Sequence, residues 1–294
     1  MAQSSSFTLP VQTPFDWESL LAFLRVRATP GVETVTDSAY QRSIGSKDAP
    51  QTLSVTYDHE NVCLRVDCSA ETSGVSLSAI GARVQQIFKI DVNTSPIEKF
   101  LGRSPRLAAF VRQQPGLHVP GGWSSFEIAA RAILGQQISV PAATMFMGRL
   151  VRLAGTQQSE TAWLFPTAVQ VAECDLSRLG VPRQRQETLQ GLAAFFAEHG
   201  DGCVAQPDIR EKLLRIKGIG KWTAGYILMR SCQNHDHWPE GDLVLRKALG
   251  NGKTQMDAAC LEKTFNQWRP YRGYATIHIW RGYVSSKNSN VRTQ

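Results

Sequence analysis

Alternating apolar and polar positions predict an antiparallel hairpin in the first third of the chain. Apolar residues occupy every second position over residues 53–57 and again over residues 62–66, with a polar run at residues 58–61 between them. Two stretches of period two around a polar turn predict a hairpin with one buried face.

Helical spacing flanks this hairpin. An amphipathic helix is predicted over residues 16–27, and apolar residues recur at helical intervals over residues 77–88. The hairpin and the two helices together predict a small sheet backed by helices over roughly residues 1–92.

Later in the chain, helical patterns replace strand alternation. Ser124 or Ser125 is expected to begin a helix over residues 126–134, because a serine hydroxyl accepts a bond from the free amides of a first helical turn. Ser139 is the expected N-cap of a helix over residues 140–153. Further helices are predicted over residues 167–174, 184–198, 209–215, 221–231, 243–249, 256–268 and 271–283, with a frayed tail at 288–294. A sheet followed by many helices places the chain in the α+β class.

Length and charge suggest several sub-domains and a polyanionic partner. A chain of 294 residues is long for one hydrophobic core, so two or three sub-domains are expected. The net charge of +7 suits nucleic acid, although many proteins of other classes are mildly basic. Neither a secretory leader nor an apolar run of bilayer length is visible, so a cytoplasmic protein is expected, associated with the nucleoid in a prokaryote.

The six cysteines do not form a recognisable metal or cluster motif. None belongs to a C-x-x-C pair, so reduced thiols and no metal are expected. A dinucleotide enzyme is also disfavoured, because no G-x-G-x-x-G follows a predicted strand.

The most informative stretch is a Gly-Ile-Gly turn between two predicted helices. Glycines permit positive φ and leave backbone amides open at a helix N-terminus, which forms an anion site. The apolar side chain of Ile219 is expected to fill the space between the two helices. G-x-G by itself also fits an ordinary turn, but the longer string, in which Trp-Thr-Ala follows, predicts a DNA-binding helix-hairpin-helix over residues 213–230. The residues expected to contact DNA are Lys217, Gly218, Ile219, Gly220, Lys221 and Thr223.

Several separated strings resemble one family in the same order along nearly the whole chain. The chain resembles 3-methyladenine DNA glycosylase II, the AlkA-type branch of the helix-hairpin-helix glycosylases. The strings are Phe15-Asp16-Trp17, residues 31–35, 131–136 with Ser139-Val140, 218–224, and Tyr274-Ala275 with His278-Ile279-Trp280.

The resemblance implies a domain organisation. The N-terminal domain, residues 1–92, would be a sheet like that of the TATA-binding protein. Residues 117–234 would form a helical domain with the hairpin. Residues 93–116 and 235–287 would form a second helical domain, with a cleft between the two.

Asp242 is the expected catalytic residue. It opens a predicted helix, and by its position alone it would be an N-cap. The resemblance places the family's essential aspartate here, and both roles are compatible, since a helix N-terminus favours a negative charge. Asp236, in the loop before it, is expected to be solvated.

The resemblance also implies a pocket for a flipped base, formed by Phe23, Trp222, Tyr226 and Trp280. Trp222 and Tyr226 share a helix face, which equally fits a core pair. Leu243 and Arg281 stand where the family often has tyrosines.

Gln137, with Gln136 beside it, is expected to be the wedge that fills the gap left by the flipped nucleotide. A plain surface loop between two helices is the alternative interpretation.

The expected reaction is hydrolysis of an alkylated base from duplex DNA by a monomer, leaving an abasic site. Trp222 stands where bifunctional relatives carry a nucleophilic lysine, and Lys221 points about 100° away on the helix. Two alternatives stay open: a glycosylase/lyase for oxidised bases, and a non-catalytic DNA-binding module. No cofactor is expected, apart from a monovalent cation that hairpin carbonyls could hold.

Overall fold

The computed structural model describes residues 5–69, 76–250 and 254–292, and its N-terminal part is built on a five-stranded sheet. All strand pairs are antiparallel, in the order β1-β5-β4-β3-β2. A separate pair of short strands, β6 and β7, lies among the helices. The strands are β1 Ser5–Pro10, β2 Glu33–Val35, β3 Ala39–Gly45, β4 Pro50–Asp58, β5 Cys63–Cys68, β6 Thr156–Gln157 and β7 Trp163–Leu164.

The predicted hairpin is formed by β4 and β5, where Val55 lies opposite Val66. One face is buried, as the alternation predicts, with Leu53 and Leu64 completely covered. Strand β3 is not predicted by the sequence pattern. Every second residue of β3 is buried, but the middle one is Arg42, and a buried guanidinium breaks the apolar alternation that identifies a strand.

Helices dominate the rest of the described chain. The hydroxyls of Ser124 and Ser139 accept bonds from the backbone N–H groups of Glu127 and Ala142, so both predicted N-caps are confirmed. Helices α3 and α4 are short and were not predicted. The helices are α1 Trp17–Arg25, α2 Leu77–Phe88, α3 Ser95–Leu101, α4 Ala108–Gln113, α5 Ser125–Leu134, α6 Val140–Ala154, α7 Ala168–Glu173, α8 Arg183–His199, α9 Ile209–Arg215, α10 Lys221–Ser231, α11 Leu243–Ala248, α12 Ala258–Asn266 and α13 Arg272–Arg292.

The frayed tail at 288–294 stays a prediction: α13 continues to Arg292, and residues 293 and 294 lie outside the described residues. Each N–H group in a continuing helix bonds a carbonyl one turn earlier. The segment contains asparagines and a serine, which are weak helix formers, but no proline that would end the helix.

Buried apolar side chains form two clusters. One lies between the sheet and helices α1 and α2. The larger cluster runs through the helical part from Ile97 to Ile279 and includes residues of both predicted helical domains. Phe23 packs against both clusters. None of the described helices is long and apolar enough to cross a membrane.

Buried charges connect the sheet to α5. Arg42 on β3 lies 3.1 Å from Glu127 (Nη2 to Oε2) and 3.6 Å from Glu33 (Nη1 to Oε1). Burial lowers the pKa of Arg42, but the two carboxylates outweigh burial and hold it above its ordinary value. Removing one partner would leave an uncompensated buried charge, which typically costs about 3–5 kcal/mol.

Gly225 lets the segment before α11 lie directly on α10. A Cβ at Gly225 would lie 2.0 Å from the carbonyl oxygen of Trp238. The segment that begins at Trp238 leads into α11, so this close approach sets where Asp242 lies.

We expect Gly225→Ala to lower the free energy of unfolding by about 1–3 kcal/mol, because the added methyl group has no space beside the Trp238 carbonyl. Gly202→Ala is the matched control, since a Cβ there meets no described atom within 4 Å. Urea unfolding of both variants measures the difference. Equal stabilities would show that the Trp238 segment can shift at no cost.

Candidate active site

Asp242 is the N-cap of α11, as predicted. Its Oδ1 accepts a bond of 2.9 Å from the backbone N–H of Leu245. Gly241 directly before it has a φ of +76°, a conformation that favours glycine and turns the loop into the helix. Asp242 is only 7% exposed, so its carboxylate needs internal donors.

Two indole rings supply those donors. Trp222 Nε1 donates to Asp242 Oδ2 at 2.8 Å, and Trp280 Nε1 donates to Oδ1 at 3.1 Å. An indole N–H can only donate and an ionised carboxylate can only accept, so these bonds fix the orientation of all three groups. Helices α10, α11 and α13 therefore meet at one carboxylate.

The aromatic rings form a continuous wall beside this carboxylate. The Trp222 and Tyr226 rings are stacked, with centroids 5.3 Å apart and planes 14° apart. Tyr226 and Trp280 have centroids 6.3 Å apart and planes tilted by 39°. The structure thus brings Trp280 of α13 next to the Trp222–Tyr226 pair of α10.

These groups line an open cavity of about 650 Å³, within the range typical of small-molecule sites. Every predicted pocket residue contributes to its wall, and so do four arginines, of which only Arg281 was at an expected pocket position. These residues are Phe23, Trp222, Tyr226, Asp242 and Trp280, with Arg25, Arg27, Arg131 and Arg281.

Arginines surround the phenol of Tyr226. Arg230 Nη1 donates to the Tyr226 oxygen at 2.9 Å, and the Arg27 guanidinium lies 3.7 Å from the centroid of the Phe23 ring. Burial lowers the pKa of Arg27 to about 10. Burial raises the pKa of Tyr226, but Arg230, Arg27 and Arg131 outweigh it, so its pKa lies below the ordinary value. A signal for two of these arginines was present in the sequence. Arg27 follows Phe23 by four residues, and Arg230 follows Tyr226 by four, which is about one helical turn.

The Gly-Ile-Gly turn between α9 and α10 forms the predicted hairpin. Gly218 has a φ of +90°, and a Cβ there would lie 2.0 Å from the Thr188 hydroxyl. Ile219 is buried between the helices, whereas a Cβ at Gly220 would meet no described atom within 4 Å. Lys217 and Lys221 are both exposed. The open amides and the two lysines suit an anion.

Thr223, one of the residues expected to contact DNA, is buried. Its side chain is 3% exposed, and its hydroxyl accepts a bond of 2.9 Å from Gln136 Nε2. The first turn of α10 points this hydroxyl inward, so the Thr223 side chain is not on the surface that the hairpin presents.

The two glutamines between α5 and α6 have different environments. Gln137 is exposed and has a φ of +59°. Gln136 is half-buried, and its amide donates to the Gly218 carbonyl at 3.1 Å as well as to Thr223. Only Gln137 projects freely enough to serve as the predicted wedge.

The expectation that Asp236 is solvated is wrong. Its two carboxylate oxygens accept bonds of 2.7 and 2.8 Å from Nε and Nη2 of Arg272 in the first turn of α13. The two departures from the family pattern also differ: Leu243 is exposed, whereas Arg281 lines the cavity.

Within the described part of the chain, no group of His, Cys, Asp or Glu side chains could hold a metal ion. All six cysteines are described and are free thiols.

Comparison with known sequences supports one family. Residues 6–124 match the model of the AlkA N-terminal domain. DNA-3-methyladenine glycosylase 2 of Escherichia coli K12 is 32% identical over 93% of this chain and 96% of its own length. A Mycobacterium tuberculosis H37Rv protein named "Probable bifunctional transcriptional activator/DNA repair enzyme AlkA" is 34% identical over 95% of this chain. The chain spans only 57% of the length of that relative.

Solved structures share the fold at low identity. A 3-methyladenine DNA glycosylase from Archaeoglobus fulgidus superimposes with a TM-score of 0.76 at 18% identity, covering 93% of this chain and 96% of its own. A Clostridium acetobutylicum 8-oxoguanine glycosylase/lyase in complex with double-stranded DNA gives a TM-score of 0.73 at 15% identity, covering 98% of each chain. The α+β arrangement of an N-terminal sheet and a helical part is therefore confirmed.

The cap at Asp242 can be tested by stability alone. We expect Asp242→Ala to be less stable than Asp242→Asn by about 1 kcal/mol, because asparagine keeps an oxygen that can bond the Leu245 amide. Thermal melting of the two purified variants measures this difference. Indistinguishable melting temperatures would contradict the capping role.

Proposed function

The chain belongs to the family of DNA-3-methyladenine glycosylase 2, and from this premise we propose that it hydrolyses the N-glycosidic bond of alkylated bases in duplex DNA. Substrates of this class include 3-methyladenine and 7-methylguanine. The observation that carries the proposal is the position of Asp242, held by two indoles in the wall of an aromatic cavity. The same helix that carries Trp222 begins at the hairpin.

Duplex DNA is the proposed partner, because the cavity can act on a base only after that base leaves the stack. The hairpin with Lys217 and Lys221 would bind phosphate without reading sequence. Gln137 would occupy the gap in the duplex. In this proposal the protein acts as a monomer in the cytoplasm and needs no organic cofactor, since water is the only co-reactant of hydrolysis.

The chemistry requires a fixed anion on the sugar side of the bond. As the bond breaks, its electron pair moves to the base and positive charge develops on the sugar. The Asp242 carboxylate would stabilise that charge or orient the attacking water. An alkylated purine already carries a positive charge and leaves as a neutral base, so one carboxylate suffices and no protein acid is required.

Two features favour simple hydrolysis over strand nicking. A lyase needs an amine nucleophile within reach of the sugar carbon. None of the described residues that line the cavity is a lysine, and Lys221, adjacent to Trp222, is exposed outside it. Borohydride trapping on duplex substrate decides between the two reactions: a covalent enzyme–DNA adduct would show the lyase.

We expect Asp242→Asn to release alkylated base about a hundredfold more slowly, because the charge in the transition state is lost while the helix cap is kept. Single-turnover release from duplex containing 7-methylguanine measures this rate. Asp257→Asn is the matched control, since Asp257 caps α12 through its side chain and does not line the cavity. Near-normal release by Asp242→Asn would remove Asp242 from the reaction.

The hairpin is tested by binding. We expect Gly220→Val to weaken binding to damaged and undamaged duplexes by the same factor, about tenfold, because a side chain there would separate the amides from phosphate and these amides carry no sequence information. Gly202→Val adds the same side chain at another open position and serves as control. Titration at fixed salt measures both variants, and unchanged affinity of Gly220→Val would exclude the hairpin from the contact surface.

A further inference from the structure

The loop between α5 and α6 is held to the hairpin by one side chain. Gln136 Nε2 donates to the Gly218 carbonyl at 3.1 Å and to the Thr223 hydroxyl at 2.9 Å. A primary amide carries two N–H groups, so both are used. One of the acceptors belongs to the hairpin itself, and the other to the first turn of the helix that follows it.

Helix α8 contacts both the α5–α6 loop and the hairpin. Arg185 Nη2 donates to the backbone carbonyl of Gln136 at 2.9 Å. Thr188, one turn further along α8, lies against Gly218 in the space that a Cβ would need. The α5–α6 loop, the hairpin and α8 therefore meet around Gln136.

Gln137 follows directly and adopts a left-handed backbone conformation, with a φ of +59°. Such a conformation costs roughly 1–2 kcal/mol for a residue with a Cβ and persists only where the surroundings determine it. The bonds made by Gln136 through its side chain and its carbonyl are contacts that can hold the chain in this form.

We infer that Gln136 is a positioning residue that holds the loop between α5 and α6 in a fixed position relative to the hairpin. When the hairpin binds phosphate, Gln137 then lies at a set distance along the duplex. This inference rests on the proposed function, because a wedge has a role only if a base is flipped. In this inference Gln136 positions the loop, whereas Gln137 fills the gap in the duplex. Arg185 and Thr223 hold Gln136 through their hydrogen bonds.

The test uses Gln136→Leu, which keeps the volume of the side chain and removes both N–H donors. We expect release of 7-methylguanine from duplex DNA to fall about tenfold in single turnover, because the wedge no longer has a fixed position. Release of the same base from single-stranded DNA, which has no gap to fill, is expected to change less than twofold. Gln190→Leu is the matched control, since Gln190 is a half-buried glutamine that donates to the Cys174 carbonyl.

Two further variants distinguish positioning from general damage to the site. Thr223→Val removes one acceptor at constant shape, and its effect should not add to that of Gln136→Leu, because both break the same bond. Gln137→Ala should slow duplex release in the wild-type background and have little further effect beside Gln136→Leu.

Each outcome decides the inference. Wild-type release from duplex by Gln136→Leu would overturn it, and so would an equal loss on duplex and single-stranded DNA. Full additivity with Gln137→Ala would also overturn it. A wild-type protein that releases no base from either substrate would instead overturn the proposed function, so the two failures are distinguishable.

Discussion

A buried carboxylate can only accept hydrogen bonds, and the whole site is organised around that limitation. Asp242 receives one backbone N–H from α11, one indole N–H from α10 and one from α13. Each donor belongs to a different helix, so satisfying the carboxylate fixes the relative positions of the three helices. The indoles that donate are also the walls of the cavity. The position of the Asp242 carboxylate and the positions of the aromatic rings therefore depend on each other.

Helix α10 connects this site to the hairpin and to neighbouring segments of the chain. Its N-terminus is the hairpin, and its next turns supply Trp222 and Tyr226. Its last turn carries Arg230, whose Nε donates to the Pro120 carbonyl at 2.9 Å. At its centre Gly225 admits the segment that leads to Asp242. A single helix thus connects the open amides of the hairpin to the cavity and to the carboxylate.

Features that depend on local chemistry could be predicted, and features that depend on long-range pairing could not. The N-caps at Ser124 and Ser139 arise within one turn of helix, so their residues reveal them. Arg42 is buried only because Glu33 and Glu127 approach it in the folded chain, and strand β3 was missed for that reason. The partner of Asp236 lies on α13, far along the sequence, so the carboxylate was wrongly expected in solvent.

The arrangement of charge around the cavity suits the proposed bond cleavage better than it suits binding of a cationic base. Guanidinium groups of Arg27, Arg131 and Arg230 surround the Tyr226 phenol, whereas the carboxylate of Asp242 lies at the edge of the Trp222 ring, 2.8 Å from its Nε1. Aromatic faces attract an alkylated, positively charged purine, but the arginines repel it. As the glycosidic bond breaks, positive charge leaves the base and appears on the sugar. If the base packs against the aromatic wall with its sugar toward Asp242, the repulsion decreases as the bond breaks, while the attraction to Asp242 grows. A field with this direction stabilises the transition state more than the bound substrate, which is the condition for acceleration rather than tight binding.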